Sequence, residues 1–503
     1  MISAANVGAE SSGKNNSYKL HRSPVHLSSD TVILKDWLFT VRSRRTSMNF
    51  RSLKSVHITN YYHKDSGGIS TAYNKLLEAA NRHGREVRLI VPGETDDVED
   101  IGEFGRIYYV KALQSPVVDS RYRLITPLNY VPIGSPIRKI LSAEMPDIVE
   151  IGEKYLLSAL AGVIRTGHFK ELGRPLLIHF SHERMDDNLR AFLSKTKILN
   201  WFSQQFIRNY ILPSFDYHIA NSNYTAGELT IPSSETAGSR SPSAFSSFCY
   251  RMLNTSNNAS TDNVKVSNCG VDFEFFNSHR KNNAVRKAIL DEALFPEDAK
   301  IILYAGRISP EKNVAILPAI LELLQKANSS TNGSLCRLLI LGNGPKSDWL
   351  EEQLRQVAPG KYKLMGHLTD KNKMAEIYTN SDVFLHPNPR EPFGIGPLEA
   401  MASGLPCVLP NAGGVLSYAN PDNAWLVDPE PGQFVEAILG ALSNEAERDR
   451  RIQNGLETAK DNSWVRSTDR LFNLYDEIYS EFKTSGSEVY HSSITLGDQS
   501  IVA

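Results

Sequence analysis

Asn388-Pro389-Arg390-Glu391-Pro392-Phe393-Gly394-Ile395-Gly396-Pro397-Leu398-Glu399-Ala400-Met401-Ala402-Ser403-Gly404 follows the apolar run Val383–His386. A β-strand thus feeds a glycine-bearing turn, and Pro397 suits the first position of a helix. Glycines let a ligand approach the backbone, and a helix start offers unpaired N–H groups and a positive dipole end. The segment therefore predicts a strand, turn and helix with a seat for phosphate. Glu391 and Glu399, eight positions apart, flank that seat, one before the glycines and one inside the helix. Carboxylates accept hydrogen bonds from hydroxyls, so the pair suits a ligand with both phosphates and sugar rings. As third residue of the expected helix, Glu399 has the alternative of capping its backbone. Glu391 has no such alternative.

Upstream, Tyr304-Ala305-Gly306-Arg307-Ile308-Ser309-Pro310-Glu311-Lys312-Asn313 follows an apolar run and precedes the helical pattern Val314–Lys326. Open α/β sheets place ligands at strand ends, so Arg307 and Lys312 would project where a diphosphate binds. Arg brings a planar fork and Lys a point charge, and both can stabilise a departing nucleoside diphosphate. The competing reading is a pair of solvated loop charges with Glu311 as partner.

Apolar runs alternate with amphipathic stretches in two series, the pattern of parallel strands joined by crossover helices. One contains Ser55–Thr59, Glu86–Val91, Arg106–Val110, Asp147–Ile151, Leu176–Phe180 and Tyr217–Asn221. The other contains Lys300–Ala305, Arg337–Leu341, Tyr362–Met365, Val383–His386, Cys407–Pro410 and Ala424–Val427. The expected architecture is α/β, two Rossmann-like doubly wound domains facing each other across a cleft. Residues 51–280 form the first, with a Ser-rich flexible insertion at about 232–262, and residues 281–465 the second. A terminal helix over 466–483 is expected to cross back to the first domain, before a mobile tail at 484–503. Residues 1–50 read as a poorly ordered extension, either transit-like in composition or upstream of a start at Met48.

A chain of 503 residues exceeds a single core, which stops growing at roughly 250–300 residues. With 55 Lys and Arg against 56 Asp and Glu there is no global field for nucleic acid, and phosphate binding must be local. The four cysteines, Cys249, Cys269, Cys336 and Cys407, form no CxxC pair and suit a reducing compartment. No apolar run reaches the roughly 18–20 residues of a membrane span, so a cytoplasmic location is expected. Leu189–Phe215 mixes Lys195, Lys197 and Arg208 with Leu199, Trp201, Phe202, Phe206 and Ile211. It would pack on the sheet or lie on a membrane surface as a peripheral contact.

These segments resemble the retaining glycosyltransferases of family four, group 1 enzymes with the GT-B fold. Glu391 and Glu399 match their E-x7-E pattern, and Gly306, Arg307 and Lys312 their G-R-x4-K segment. Leu341-Gly342-Asn343-Gly344-Pro345, Gly366-His367-Leu368 and Gly413-Gly414-Val415 match further. The resemblance covers roughly residues 55–480, and the second half carries most of its specificity. It implies that Arg307 and Lys312 bind the donor diphosphate, Glu391 the donor sugar hydroxyls and Glu399 the ribose. Phe393, Gly394 and Ile395 would present backbone N–H groups, and Gly366, His367 and Leu368 would lie beside the base. Gly67 and Gly68 would face the phosphates from the first domain, unless they simply form a tight turn. In Ile178-His179-Phe180-Ser181-His182-Glu183-Arg184-Met185, either His179 or His182 would touch the transferred sugar, and His182, at the end of the strand, is the one expected to face the cleft. Ser222 reads equally as a helix cap or a ligand contact.

The expected activity is metal-independent transfer of a hexose, with retention, from a nucleotide-diphosphate sugar to a hydroxyl of a glycan, lipid or small molecule. Beyond the donor no cofactor is expected, and no DxD-type metal element is found. The alternatives are a nucleotide-sugar epimerase of the same fold and a non-catalytic nucleotide-sugar binding protein.

Overall fold

The computed structural model describes residues 52–63, 67–114, 123–192, 197–230, 263–327 and 335–495. The N-terminal extension, the Ser-rich insertion, Asp65-Ser66 and the end of the tail lie outside the described residues.

The first sheet is built from β1 (Ser55–Ile58), β2 (Val87–Gly93), β3 (Asp97–Ile101), β4 (Gly105–Lys111), β7 (Ile148–Ile151), β8 (Leu176–Ser181), β9 (Tyr217–Ala220) and β10 (Val264–Val266). A separate hairpin pairs β5 (Leu113–Gln114) with β6 (Arg123–Leu124). The sheet runs β10-β9-β8-β7-β1-β2-β4-β3, and its strands are parallel except for β3, which pairs antiparallel with β4. The acidic sequence of β3 gave no strand signal. Its pairing residues stand at an edge with one exposed face, where charge is tolerated.

The second sheet contains β11 (Lys300–Ala305), β12 (Cys336–Leu341), β13 (Tyr362–Gly366), β14 (Val383–Leu385), β15 (Cys407–Pro410) and β16 (Trp425–Val427). Its order is β13-β12-β11-β14-β15-β16, all parallel. Helices cover both faces of each sheet, which is why central strands such as Cys336–Leu341 read as unbroken apolar runs. Helices used below are α1 (Gly68–His83), α2 (Met185–Phe192), α3 (Lys197–Phe206), α4 (Asn223–Leu229), α5 (Ile395–Ala402) and α6 (Trp464–Thr495).

Each sheet winds outward from one place, between β1 and β7 in the first and between β11 and β14 in the second. Connections on the two sides of such a switch point leave in opposite directions and open a crevice at the carboxyl ends of the strands. Four loops are thereby singled out before any chemistry is considered: those after β1, β7, β11 and β14.

The chain crosses between the sheets at two places that lie side by side. Val271 N–H donates to Asn462 at 2.9 Å, and Trp464 N–H donates to Val271 at 3.0 Å. A Cβ on Gly270 would sit 2.7 Å from Trp464 Cα, so only glycine permits this approach. After the second crossing, α6 packs on the first sheet, where Phe472, Tyr475 and Ile478 join Leu76, Val87, Leu176 and Ile219 in one buried cluster.

Beneath α6 a polar chain runs through the core. Ser55 Oγ lies 2.9 Å from His57 Nε2, His57 Nδ1 lies 2.9 Å from Glu150 Oε1, and Tyr475 hydroxyl donates to Glu150. The connectivity imitates a nucleophile, base and acid relay, but Ser55, His57 and Glu150 are 4%, 0% and 1% exposed. It is a sealed brace between α6 and the sheet.

Candidate active site between the sheets

The loop after β14 presents Glu391. Lys312, from the loop after β11, donates to both carboxylate oxygens at 2.8 Å. Asn388 Nδ2 donates to Oε2 at 3.0 Å, and His386 Nε2 lies 3.4 Å away. Burial pushes the Glu391 pKa up, but the Lys312 ammonium and then His386 outweigh it and hold the carboxyl well below the usual range. The group is ionised at any working pH, ready to accept hydrogen bonds.

Glycines bring the surrounding loops together. A Cβ on Gly414 would lie 1.9 Å from the Pro392 carbonyl oxygen, and one on Gly342 would lie 2.0 Å from that of Gly306. The loop after β12 therefore touches the loop after β11, and the loop after β15 the loop after β14, backbone to backbone. Gly394 has φ +87° as the N-cap of α5, and its carbonyl accepts from Tyr418 hydroxyl at 2.5 Å. Phe393 is buried edge-to-face against Tyr418.

This geometry corrects two expectations. The helix begins at Ile395, not at Pro397, because Gly394 adopts the left-handed conformation that starts it early. Glu399 is then the fifth helical residue, too deep to cap the backbone. It instead accepts from Tyr378 hydroxyl at 3.1 Å, and burial pushes its pKa up to about 7, the hydrogen bond from Tyr378 only partly opposing.

Arg307 sits half-buried beside exposed Gly306, its carbonyl accepting from Tyr304 hydroxyl at 3.0 Å. A Cβ on Gly396 would lie 3.7 Å from the Ala305 carbonyl oxygen, which places the first turn of α5 against the end of β11. Gly366 (φ +70°) ends β13, followed by exposed His367 and half-buried Leu368. These three lie at the outer end of the same crevice edge, two strands from β11.

The first sheet closes the site from the other side. Gly67 (φ +101°) is the N-cap of α1, and a Cβ on Gly68 would come within 3.1 Å of Ile395 Cδ1. Ser222 caps α4, accepting from Thr225 N–H at 3.1 Å, and its hydroxyl donates to the Pro392 carbonyl. Ser222 is thus a helix cap, and its hydroxyl also ties α4 to the loop after β14. Arg390 reaches Asp187 across the gap at 3.7 Å.

His182, at the end of β8, is buried between Phe180, stacked at 4.5 Å, and Tyr73, whose hydroxyl is 3.2 Å from Nε2. Burial pushes its pKa down to about 4, so the ring is neutral at pH 7. His179 is interior, with Nδ1 3.2 Å from His218 Nδ1, and does not reach the crevice.

Sequence reasoning missed the supports of this edge. Lys154, 2% exposed, donates to the Glu183 carbonyl and to Glu228. Glu228 in turn accepts the Met185 and Asp186 N–H groups at 2.6 and 3.2 Å and so caps α2. Arg184 pairs with Asp186 at 2.8 Å and covers the Tyr224 ring. The signal available was charge inside otherwise apolar strand ends, at Glu153-Lys154 and Glu183-Arg184. Among the described residues, no group of three or more His, Cys, Asp or Glu side chains is placed to hold a metal ion. Cys269, Cys336 and Cys407 are free thiols.

Two facing Rossmann-like sheets with a glycine-lined crevice define the GT-B class of glycosyltransferase folds. Residues 285–458, which contain the second sheet, match the family model described as glycosyl transferases group 1, so the chain is similar to glycosyltransferases of that group. The chain is 24% identical over 400 residues to a GDP-mannose-dependent alpha-(1-6)-phosphatidylinositol dimannoside mannosyltransferase of Mycobacterium tuberculosis, covering 79% of this chain and 90% of the relative. It is 22% identical over 438 residues to a GDP-mannose-dependent alpha-mannosyltransferase of Corynebacterium glutamicum, covering 85% and 90%. Among solved structures it is similar to sucrose-phosphate synthase from Thermosynechococcus elongatus, with TM-score 0.62, 18% identity, and coverage of 85% and 100%.

Proposed function

We propose that this chain transfers a hexose with retention from a nucleoside-diphosphate sugar to an acceptor hydroxyl, and that GDP-mannose is the donor to test first. The observation that carries the reading is the Lys312–Glu391 pair, which joins the loops after β11 and β14, the latter leading into the α5 start that Gly68 of α1 approaches. Lys312 and Arg307 would hold the diphosphate, helped by the N–H groups of Phe393, Gly394 and Ile395 at the start of α5. Glu391 would accept from sugar hydroxyls, Glu399 from the ribose, and Gly366, His367 and Leu368 would border the base. Gly67 and Gly68 would approach the phosphates opposite, and His182 would serve as a neutral hydrogen-bonding partner for the sugar. The two relatives with GDP-mannose in their names support the choice of donor.

In the transfer, the bond from sugar C1 to the diphosphate oxygen breaks and a bond from C1 to the acceptor oxygen forms on the same face. The acceptor proton passes to the departing phosphate oxygen, so no protein nucleophile is needed. Cations and helix N–H groups around that oxygen lower the cost of departure. The direct test presents nucleotide sugars, GDP-mannose first, with a panel of glycan, lipid and small-molecule acceptors, with and without EDTA. A product with the donor's anomeric configuration, formed equally in EDTA, is expected. Conversion of the sugar with donor alone would point to an epimerase and overturn the reading.

A further inference from the structure

Three loops of the first sheet meet at its switch point. β1 is followed by Thr59-Asn60-Tyr61, β7 by Gly152-Glu153-Lys154-Tyr155 and β8 by His182-Glu183-Arg184. Tyr61 hydroxyl donates to Glu183 Oε1 at 2.7 Å. In the sheet order β8-β7-β1, that bond joins the two outer loops past the carboxyl end of β7. Gly152 stands at that end, where a Cβ would collide with Tyr73 hydroxyl and press on His182 Nε2. Glu153 accepts the N–H groups of Tyr155, Leu156 and Leu157 at 2.5, 3.1 and 2.6 Å, which fixes the turn that presents Tyr155, 39% exposed. Asn188 Nδ2 of α2 donates to the Tyr155 hydroxyl at 3.5 Å.

The cations of this rim are engaged elsewhere. Lys154 gives its ammonium to the Glu183 carbonyl and to Glu228, and Arg184 gives its guanidinium to Asp186 and the Tyr224 carbonyl. Neither pairs with the Glu183 carboxylate, which is half-buried and takes its hydrogen bond from a neutral phenol. Burial, and then the Glu183 charge, pushes the pKa of both Tyr61 and Tyr155 up, so both hydroxyls remain donors beside it. The opposite rim carries the opposite sign at Lys312, whose turn Pro310–Lys312 packs on α2. Ring hydroxyls donate to a carboxylate and the apolar faces of a sugar pack on aromatic rings, whereas a phosphate would meet Glu183 as a like charge.

We infer that Glu183, with Tyr61 and Tyr155, binds the acceptor as a neutral sugar or cyclic polyol ring through its hydroxyls and selects against a phosphorylated one. The inference rests on the glycosyl-transfer reading of the crevice and names the acceptor class for it. His182, one position earlier, would meet the donor sugar while Glu183 holds the ring that receives it.

The test uses the full chain with GDP-mannose and two matched pairs of probes, methyl α-mannoside against mannose 6-phosphate and myo-inositol against inositol 1-phosphate. The neutral member of each pair should be used about tenfold better in kcat/KM. Glu183→Gln still accepts from Tyr61 but loses the charge. It should raise the KM for the neutral probes about tenfold and narrow the gap within each pair, with the melting temperature and its rise on adding GDP-mannose unchanged. A purely structural tie would survive that substitution, so an unchanged acceptor KM overturns the assignment. Preference for the phosphorylated probes, or transfer to neither member of either pair by a chain that GDP-mannose stabilises, overturns it as well and leaves the donor reading standing. Absence of any stabilisation by GDP-mannose or other nucleotide sugars would instead strike the transfer reading, and this assignment with it.

Discussion

The two crevice edges that face each other are made in opposite ways. On the second sheet, glycines let loops meet backbone to backbone, and one ion pair, Lys312 with Glu391, stands at the centre. On the first sheet, buried charges do the joining: Lys154 to Glu228, Glu228 to the start of α2, Arg184 to Asp186. An edge shaped by backbone approach is fixed by residue type alone, whereas one shaped by paired side chains depends on which distant charges meet.

The sharpest separation should come from Lys312→Ala, expected to lower kcat/KM by about 10²–10³-fold, because a cation opposite developing phosphate charge is lost. Steady-state kinetics check this, and near-wild-type turnover would remove Lys312 from the donor site. Lys154→Met should instead act on folding. It strands Glu228 without its buried partner and should cost about 3–5 kcal/mol in denaturant unfolding. Adding Glu228→Gln should recover part of that loss, and a strictly additive double variant would show that the two do not act as a pair.

Gly414→Ala should cost about 3 kcal/mol, since a methyl 1.9 Å from the Pro392 oxygen forces the backbone apart. Gly68→Ala should cost far less, because its nearest neighbour is the movable end of Ile395. Thermal melts of the two, side by side, decide whether backbone approach is confined to the second sheet. Ser222→Ala removes a cap and a bond to Pro392, and a loss of about 1 kcal/mol is expected.

The smallest effect concerns pH. The folded value of about 7 at Glu399 lies above its ordinary 4.5, so the folded chain binds the extra proton between those values and its stability falls as pH rises through that window. Glu399→Gln should therefore raise the melting temperature at pH 8 by roughly 2–4 °C and leave it nearly unchanged at pH 4. An equal change at both pH values would mean that the carboxyl is not held protonated by burial.

The same contrast explains what the sequence disclosed. Glu391 and Lys312 were legible because each stands in a glycine-bearing loop directly after an apolar strand, although the two are 79 positions apart. The central parallel strands were legible because each is a buried apolar run. The start of α5 was misplaced by two residues because the conformation of Gly394, rather than the preference of Pro397, decides it. Lys154 and Arg184 stood out only as charges at apolar strand ends, and the pairing of Lys154 with Glu228, 74 positions away, left no mark in the sequence. His179 and His182 stand three positions apart at one strand end and are both buried, so little in the sequence tells which of them meets a ligand.

Helix α6 has a consequence for how the protein comes off the ribosome. The first half of the chain emerges early, but its core includes Phe472, Tyr475 and Ile478, and its brace at Glu150 waits for a hydroxyl from residue 475. The second sheet needs nothing from so far downstream and can close while synthesis continues. Nascent chains stopped before residue 464 should therefore hold a finished carboxyl-side unit behind an amino-side unit with one wall of its interior still open to water.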